Sequence, residues 1–272
     1  MKYGTFIAGM LMLSAVPAFA ADMPVKALPM APPVAYDWTG FYVGGNVGGK
    51  WDDQNSPITL GPVAGSPDPR FAVSNTLPFG GRASSFIGGG QIGYNWQVRS
   101  WVFGVEGDFD GQSLAHNTSV VTSGLPPGFV AGDVFSSRSD WQASARLRLG
   151  YAWGPWLAYV TGGAAFTDVR VSTNFVGVGA LFPASIVSNT QTFVGGTVGG
   201  GFEYMINRNL SLGVEGRYSD YGNGSYGLGS VAIFSTASGL PFSNVTSSAR
   251  LSTWEVTGRL NYHWNSPVVA KY

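Results

Sequence analysis

The stretch from Trp141 to Trp153 constrains the fold most, because its residues alternate without a break between two chemical classes. One parity holds only aromatic and aliphatic side chains, and the other, up to Gly150, holds polar side chains that include Arg146 and Arg148. A period of two predicts a β-strand with one apolar and one polar face. The pair Gly154-Pro155 then interrupts the run and a second extended segment follows, so the sequence predicts a hairpin.

The same alternation recurs along the chain. Three connections are short, near 98–100, 154–155 and 207–209, and they alternate with four long loops at 51–83, 111–139, 169–190 and 222–249. The predicted strands are about 38–50, 84–97, 101–110, 140–153, 156–168, 191–206, 210–221 and 250–264. In the fifth strand two apolar sets compete, and we favour Ala158, Val160, Ala164 and Phe166 as the outward set over Leu157, Tyr159 and Ala165.

An even strand number with short turns at one end and long loops at the other is typical of outer-membrane barrels. Each strand reaches the roughly 9–11 residues that cross a bilayer when tilted, and only a closed barrel leaves no unpaired edge in lipid. We therefore predict an all-β fold, an eight-stranded antiparallel transmembrane up-and-down β-barrel with four long extracellular loops and three short periplasmic turns.

The N-terminus has the pattern of an export signal. Lys2 precedes an apolar run over 6–16, and Ala18-Phe19-Ala20 fits a cleavage site. We predict a signal peptide over 1–20 that is cleaved between Ala20 and Ala21, a proline-rich periplasmic linker over 21–37 and the barrel over 38–272. The predicted location is the bacterial outer membrane.

Composition excludes several classes of function. The 15 basic and 15 acidic residues give a formal net charge of zero, so there is no electrostatic case for a nucleic-acid partner. The chain has no cysteine, which excludes disulfides and thiolate metal sites.

Charged residues concentrate on the polar parity of the strands. An arginine facing lipid at the bilayer midplane costs about 2–4 kcal/mol, so this face is predicted to be the interior. An eight-stranded barrel is just wide enough for its own side chains, so we favour a packed ion-pair core over a charged pore constriction. The predicted interior network consists of Glu106, Asp108, Arg146, Arg148, Glu203, Glu215, Arg217, Glu255 and Arg259.

The nine tryptophans gather at the strand ends. Trp51, Trp141 and Trp254 lie at the loop end. Aromatic girdles mark both membrane interfaces of such barrels. The girdle at the short-turn end is predicted to consist of Trp38, Trp96, Trp101, Trp153, Trp156 and Trp264.

Several segments resemble a known family, the small outer-membrane β-barrel proteins of rhizobia, brucellae and related alphaproteobacteria. They are DWTGFYVGGNVGG, RLGYAWGPWLAYVTGGAAF, VGGGFEYMI, LGVEGRYSDYG and the ending PVVAKY. The resemblance implies an abundant, surface-exposed structural protein of a group sometimes called porin-like, of which some members bind haemin. It supplies no binding motif that transfers residue by residue.

Catalytic and metal chemistry finds little support. His116 and His263 are predicted at opposite ends of the barrel, which disfavours a His-based hydrolase and a His–His metal pair. Asp52, Asp53 and Asp68 are candidates for surface calcium, although isolated loop carboxylates are more often merely solvated. We predict no catalytic residue, no cofactor, no metal site and no enzyme activity.

The predicted function is a structural, surface-exposed barrel that contributes to envelope integrity. The alternatives are a porin-like channel for small solutes and a loop-based receptor for haemin or another ligand, with His116 as the haemin candidate. The expected partners are outer-membrane lipid, lipopolysaccharide and the barrel-assembly machinery, and the protein is expected to be a monomer.

Overall fold

The computed structural model describes residues 36–62, 73–119, 129, 131–176, 184–232 and 242–265. The predicted signal peptide, its cleavage site between Ala20 and Ala21, and the predicted linker up to residue 35 lie outside these ranges. In the part of the chain that is described, no helix has the length and apolarity needed to cross a membrane.

Eight long antiparallel strands form a closed ring, and a short hairpin is added to it. The strands are β1 Gly40–Asn55, β2 Ile58–Leu60, β3 Asn75–Leu77, β4 Gly80–Val98, β5 Trp101–Ser119, β6 Val134–Trp153, β7 Trp156–Phe175, β8 Ser185–Asn207, β9 Leu210–Ala232 and β10 Phe242–Asn265. The ring order is β1-β4-β5-β6-β7-β8-β9-β10, and β1 pairs with β10 to close it. The fold class predicted from the sequence is therefore confirmed.

The three predicted short turns are present. Two-residue turns at Arg99-Ser100, Gly154-Pro155 and Arg208-Asn209 connect consecutive strands of the ring. Two of the three turns contain a residue with left-handed backbone, with φ of 59° at Arg99 and 57° at Gly154. Glycine adopts this conformation without steric cost.

The strands extend further toward the loops than predicted, and the long loops are correspondingly shorter. Much of the segments predicted as loops over 111–139, 169–190 and 222–249 is strand. The reason is a reversal of the polarity pattern beyond the loop-end tryptophans. On β7 the outward residues change from Val160 to Arg170, while the inward residues change from Thr161 to Val171. A single alternating pattern therefore does not run through the whole strand, and alternation predicts the strand only up to the point where the pattern changes.

We call the part of the barrel between the two girdles the membrane zone. The part beyond Trp51, Trp141 and Trp254, toward the loops, is the upper zone. The segment 51–83 was predicted to be a loop, but β1 continues into it and the β2–β3 hairpin lies within it. Strand β2 pairs with Val245–Ser247 of β10, and the side chains of Ile58 and Leu60 are buried.

The wall of the upper zone divides into two sheets within the described residues. The ladder between β4 and β5 ends at the pair Ile87–Gln112, and the ladder between β8 and β9 ends at Gly196–Asp220. Just beyond the second point, Gly222 has a φ of 66° and its N–H donates to Asp220 Oδ1 at 2.8 Å. Gly222 lies at a register shift of the β9–β10 ladder, between the pairs Ser252–Asp220 and Arg250–Asn223, and β9 stays paired with β10 beyond it.

Candidate functional site

The interior of the membrane zone is occupied by charged and hydrogen-bonding side chains from the ring of strands. All nine side chains predicted for the interior are buried, and the structure brings them into one connected set of contacts. We call this set the interior network.

Glu106 on β5 lies at the centre of the interior network. It is directly opposite Arg146 in the β5–β6 ladder, and Arg146 Nη2 donates to its carboxylate. Arg259 Nη2, from across the lumen on β10, lies 2.5 Å from Glu106 Oε2. Tyr42 OH donates to the same oxygen at 2.5 Å. The carboxylate therefore has three donors from three different strands.

Glu215 on β9 mirrors this arrangement. Arg146 Nη1 and Arg259 Nη1 both pair with its carboxylate, and Tyr159 OH donates to it at 2.9 Å. Each of the two arginines thus bridges Glu106 and Glu215. Bridging in this way satisfies both charges at once, which a buried ion needs if its desolvation is to be offset.

Toward the short-turn end, Arg148 pairs with Glu203, with Nη2 and Oε1 2.5 Å apart. Its guanidinium carbon lies 3.7 Å from the centre of the Tyr159 ring, a cation–π contact in a desolvated site. Ser211 Oγ donates to Glu203 Oε2 at 3.2 Å and lies 2.9 Å from His263 Nε2. His263, which the sequence placed at the end of the last strand, is therefore fully buried.

Toward the loop end, Arg217 holds three carboxylates. Its Nη1 lies 2.9 Å from Asp108 Oδ1, and its Nη2 lies 3.2 Å from Asp110 Oδ2 and 2.7 Å from Glu255 Oε2. Glu255 is also its direct neighbour in the β9–β10 ladder. Lys50 Nζ lies 4.0 Å from Glu255 Oε1 and donates to Gln112 Oε1 at 2.6 Å.

Side chains beyond the nine predicted ones also belong to the interior network, and five aromatic, charged or amide residues are among them. Four of them lie on a strand parity that the sequence already marked as polar, so that parity was a usable signal. Tyr159 was assigned to the inward set of β7 but not to a polar role, because its ring alone suggests packing rather than hydrogen bonding. The five residues are Tyr42, Lys50, Asp110, Gln142 and Tyr159.

One small cavity is present within the interior network. A polar cavity of about 10 Å³ lies among Asn46, Asp110, Arg217 and their neighbours. That is room for about one water molecule.

The short-turn end of the lumen is closed by apolar packing, and Trp38 is part of it. Trp38 was predicted to belong to the lipid-facing girdle at the short-turn end. This was wrong, because its side chain is 0% exposed. It precedes Gly40, whose φ of 137° redirects the chain as β1 begins, and its ring lies edge-on to His263 at 5.6 Å. The closing cluster contains Trp38, Val102, Ala152, Leu157, Tyr159 and Met205.

The other five tryptophans of that girdle face outward. Trp96, Trp101, Trp153, Trp156 and Trp264 are 44–55% exposed. Several pair with tyrosines on the outer wall, as Trp156 does with Tyr204 at 4.7 Å between ring centres. In β7, Leu157, Tyr159 and Ala165 are buried and Val160 is exposed, which agrees with the favoured parity.

The loop end of the lumen is filled by a second apolar cluster in the upper zone. It receives side chains from both upper sheets and from the β2–β3 hairpin. Its members include Ile58, Leu60, Phe79, Phe129, Phe135, Val169, Val171, Phe175, Phe193, Tyr221, Leu228, Val245 and Leu251.

The other candidate residues are dispersed. His116 lies in β5 opposite Ser137, and its side chain is outside the described part of the structure. Asp68 also lies outside it, and Asp52 is buried rather than on the surface. Among the described residues, no group of three or more His, Cys, Asp or Glu side chains is placed to hold a metal ion.

A closed ring with an apolar outer wall and a charged interior defines a transmembrane β-barrel. The sequence model of the protein family described as outer membrane protein β-barrel domain matches residues 6–240. The chain belongs to this family. It is a protein of the bacterial outer membrane.

Two curated relatives are similar over most of the chain. The 31 kDa outer-membrane immunogenic protein of Brucella melitensis is 34% identical, over 79% of this chain and 86% of the relative. The 22 kDa outer membrane protein of Rhizobium leguminosarum is 30% identical, over 78% and 74%. The family resemblance read from the sequence is confirmed by these matches.

Solved barrels are more distant. Neisserial surface protein A matches with a TM-score of 0.35 and 15% identity, over 83% of this chain and 98% of that one. Similarity at this level has no bearing on function.

Proposed function

We propose that the protein is a structural, surface-exposed barrel that contributes to the integrity of the outer membrane and offers no open passage through its lumen. The proposal includes the absence of enzyme activity. The observation that carries it is the interior network, in which buried charges from strands on all sides of the ring meet across the lumen.

The geometry of the lumen supports a filled barrel. Arg146 and Arg259 both span from Glu106 to Glu215, so the centre is crossed by two guanidinium groups. Apolar clusters lie at both ends of the lumen. Water or a solute would have to displace the interior network and both apolar clusters. Eight-stranded barrels have room for little beyond their own side chains.

The names of the relatives support surface exposure. The Brucella relatives are named outer-membrane immunogenic proteins. We infer that this chain also presents its loop end at the cell surface. Relatives with these names are not named for a catalysed reaction, which agrees with a structural role.

The proposal extends to partners and assembly. The ring closes through β1 and β10 of a single chain, so a monomer is complete without a second copy. Its outer wall would contact outer-membrane lipid and lipopolysaccharide, and barrel-assembly machinery would insert it. Light scattering of the detergent-solubilised protein, corrected for bound detergent, should give the mass of one chain.

Planar-bilayer recording tests the filled lumen against a pore. The purified monomer should give no stable conductance steps under conditions in which a trimeric porin of wider barrels conducts. Stable, ion-selective steps from the monomer would overturn the structural proposal and favour the porin-like alternative.

A further inference from the structure

Two arginines face outward side by side just above the loop-end girdle. Arg138 on β6 and Arg170 on β7 are direct partners in the ladder, and both are exposed. Trp141 of the girdle lies three residues below Arg138, stacked on Phe109 with 5.8 Å between ring centres. The β6–β7 register shifts between Arg138 and Gln142, so the height is counted on β7, where Arg170 lies three residues beyond Thr167, the partner of Gln142. At about 3.3 Å per residue, the arginines lie roughly 10 Å along the strand beyond the level of Gln142, which is next to the girdle residue Trp141, at the depth of lipid headgroups.

Like charges directly opposite each other destabilise a β-ladder, and neighbouring residues offset this only in part. Arg138 Nε donates to Asp140, and Arg170 Nε donates to the neutral Thr190 Oγ1 at 3.0 Å. Neither arginine has an Nη hydrogen bond to the described part of the chain. Asp168, the other nearby carboxylate, is buried and accepts from the main-chain N–H groups of Asp140 and Trp141, at 2.9 and 3.0 Å.

We propose that Arg138 and Arg170 bind a phosphate monoester of the phosphorylated glycolipid in the outer leaflet. Two adjacent guanidinium groups whose Nη atoms make no hydrogen bond to the described residues match the fork geometry by which arginine recognises phosphate. An anion between them also relieves the repulsion across the ladder. The site rests on the outer-membrane location of the protein and not on whether its lumen conducts.

Arg82 provides a contrast on another part of the wall. It also faces outward above the girdle, but it lies opposite Asp53 in the ladder and pairs with it, with Nε and Oδ2 3.3 Å apart. Arg138 also has a carboxylate partner, Asp140, but its neighbour across the ladder is a second arginine, whereas the neighbour of Arg82 across the ladder is the carboxylate itself. Arg82 therefore lacks the adjacent second guanidinium group that defines the proposed site.

The test is a lipid titration of the full-length, delipidated protein in detergent, read by native mass spectrometry. The probes are diphosphoryl lipid A, the same lipid after phosphatase treatment, and phosphatidylglycerol. The wild type should bind lipid A at least tenfold more tightly than dephosphorylated lipid A. The double variant Arg138→Gln/Arg170→Gln should lose at least tenfold in lipid A affinity, and Arg82→Gln should stay within twofold of the wild type.

Heat-modifiable migration on gels establishes that each variant is folded, and the single variant Arg170→Gln serves if the double variant does not fold. Equal lipid A binding by the wild type and the Arg138/Arg170 variants would overturn the site, as would an equal loss in Arg82→Gln. Equal binding of dephosphorylated lipid A would exclude phosphate recognition. If phosphatidylglycerol bound as tightly as lipid A and were lost in parallel, the assignment to the glycolipid would be wrong.

Discussion

The interiors of the membrane zone and the upper zone are filled by opposite chemistry. In the membrane zone, inward residues such as Glu106, Arg146 and Glu215 are charged, and the outward residues are aliphatic or aromatic. In the upper zone, inward residues such as Phe135 and Val171 are apolar. The same strands run through both zones, so backbone structure does not explain the difference.

What surrounds each zone does explain it. Lipid around the membrane zone requires an apolar outer wall, so the interior is where charges remain, and they must pair to offset their desolvation. The upper zone is surrounded by water, so its outer wall can be polar and its interior is stabilised by apolar burial, as in a soluble protein. The medium outside each zone therefore decides the polarity of its interior.

The largest expected effect is the removal of one charge from the centre of the interior network. Glu106→Gln leaves Arg146 and Arg259 without one of their carboxylates in a buried site, which should cost roughly 3–5 kcal/mol. Urea unfolding in lipid vesicles measures it. Asp53→Asn removes the carboxylate of an exposed ion pair with Arg82 and should cost less than about 1 kcal/mol. Equal losses would contradict a stabilising ionic interior.

Phe135→Ala should destabilise the upper zone alone. Phe135 is fully buried and lies edge-on to Phe175 at 5.9 Å, and truncating such a ring costs about 3–4 kcal/mol. Protease added to reconstituted vesicles should cut the upper strands of the variant faster, while heat-modifiable migration of the remaining barrel is retained. Loss of the whole barrel would show that the two zones unfold as one unit.

Two arginine substitutions on β7 test the role of the surrounding medium directly. Val160 and Asn174 both face outward on this strand, but only Val160 is in the membrane zone. Val160→Arg should cost about 2–4 kcal/mol, because it places a charge in lipid. Asn174→Arg should change the free energy of unfolding by less than about 0.5 kcal/mol, as a surface substitution in water. Similar costs at both positions would mean that the membrane does not end near Phe166.

The smallest expected effect is that of a substitution at Gly222, which lies at the register shift of β9 just beyond the end of the β8–β9 ladder. A Cβ at Gly222 would meet no other atom within 4 Å, so Gly222→Ala should cost about 1 kcal/mol through its left-handed backbone alone. Hydrogen exchange along 223–232 should quicken while exchange in the membrane zone stays unchanged. Unchanged hydrogen exchange in both zones would show that Gly222 does not stabilise the upper part of β9.

Alternation and turn chemistry predicted much of the fold. The runs on both sides of Gly154-Pro155 identified a hairpin, and the same reasoning found all eight long strands and the parity that carries Glu106 and Arg146. The strand ends were missed, since on β7 the apolar set moves from the outward to the inward face beyond Phe166. The prediction required one surrounding medium along each strand, but β7 passes from lipid into water.

The contacts within the interior network could not be predicted from the sequence, for a different reason. Glu106 and Arg146 are neighbours in one ladder, but Arg259 reaches Glu106 from the far side of the ring. The stagger of the closed barrel decides which residues face each other across the lumen at the same height. Alternation along a single strand carries no information about that stagger. The burial of Trp38 has a similar origin, because it depends on the chain turning at Gly40 into the mouth of the ring.

Local alternation and the cost of placing charge in lipid were enough to predict the class of fold, the number of long strands, the side of each strand that faces lipid and the charged core of the membrane zone. They did not predict the interior roles of Tyr42 and Lys50 or the burial of Trp38. The three-dimensional structure was needed to show which charges meet, how far the strands rise above the membrane and that Arg138 lies opposite Arg170. Those features arise from the register between strands, which is set when the ring closes.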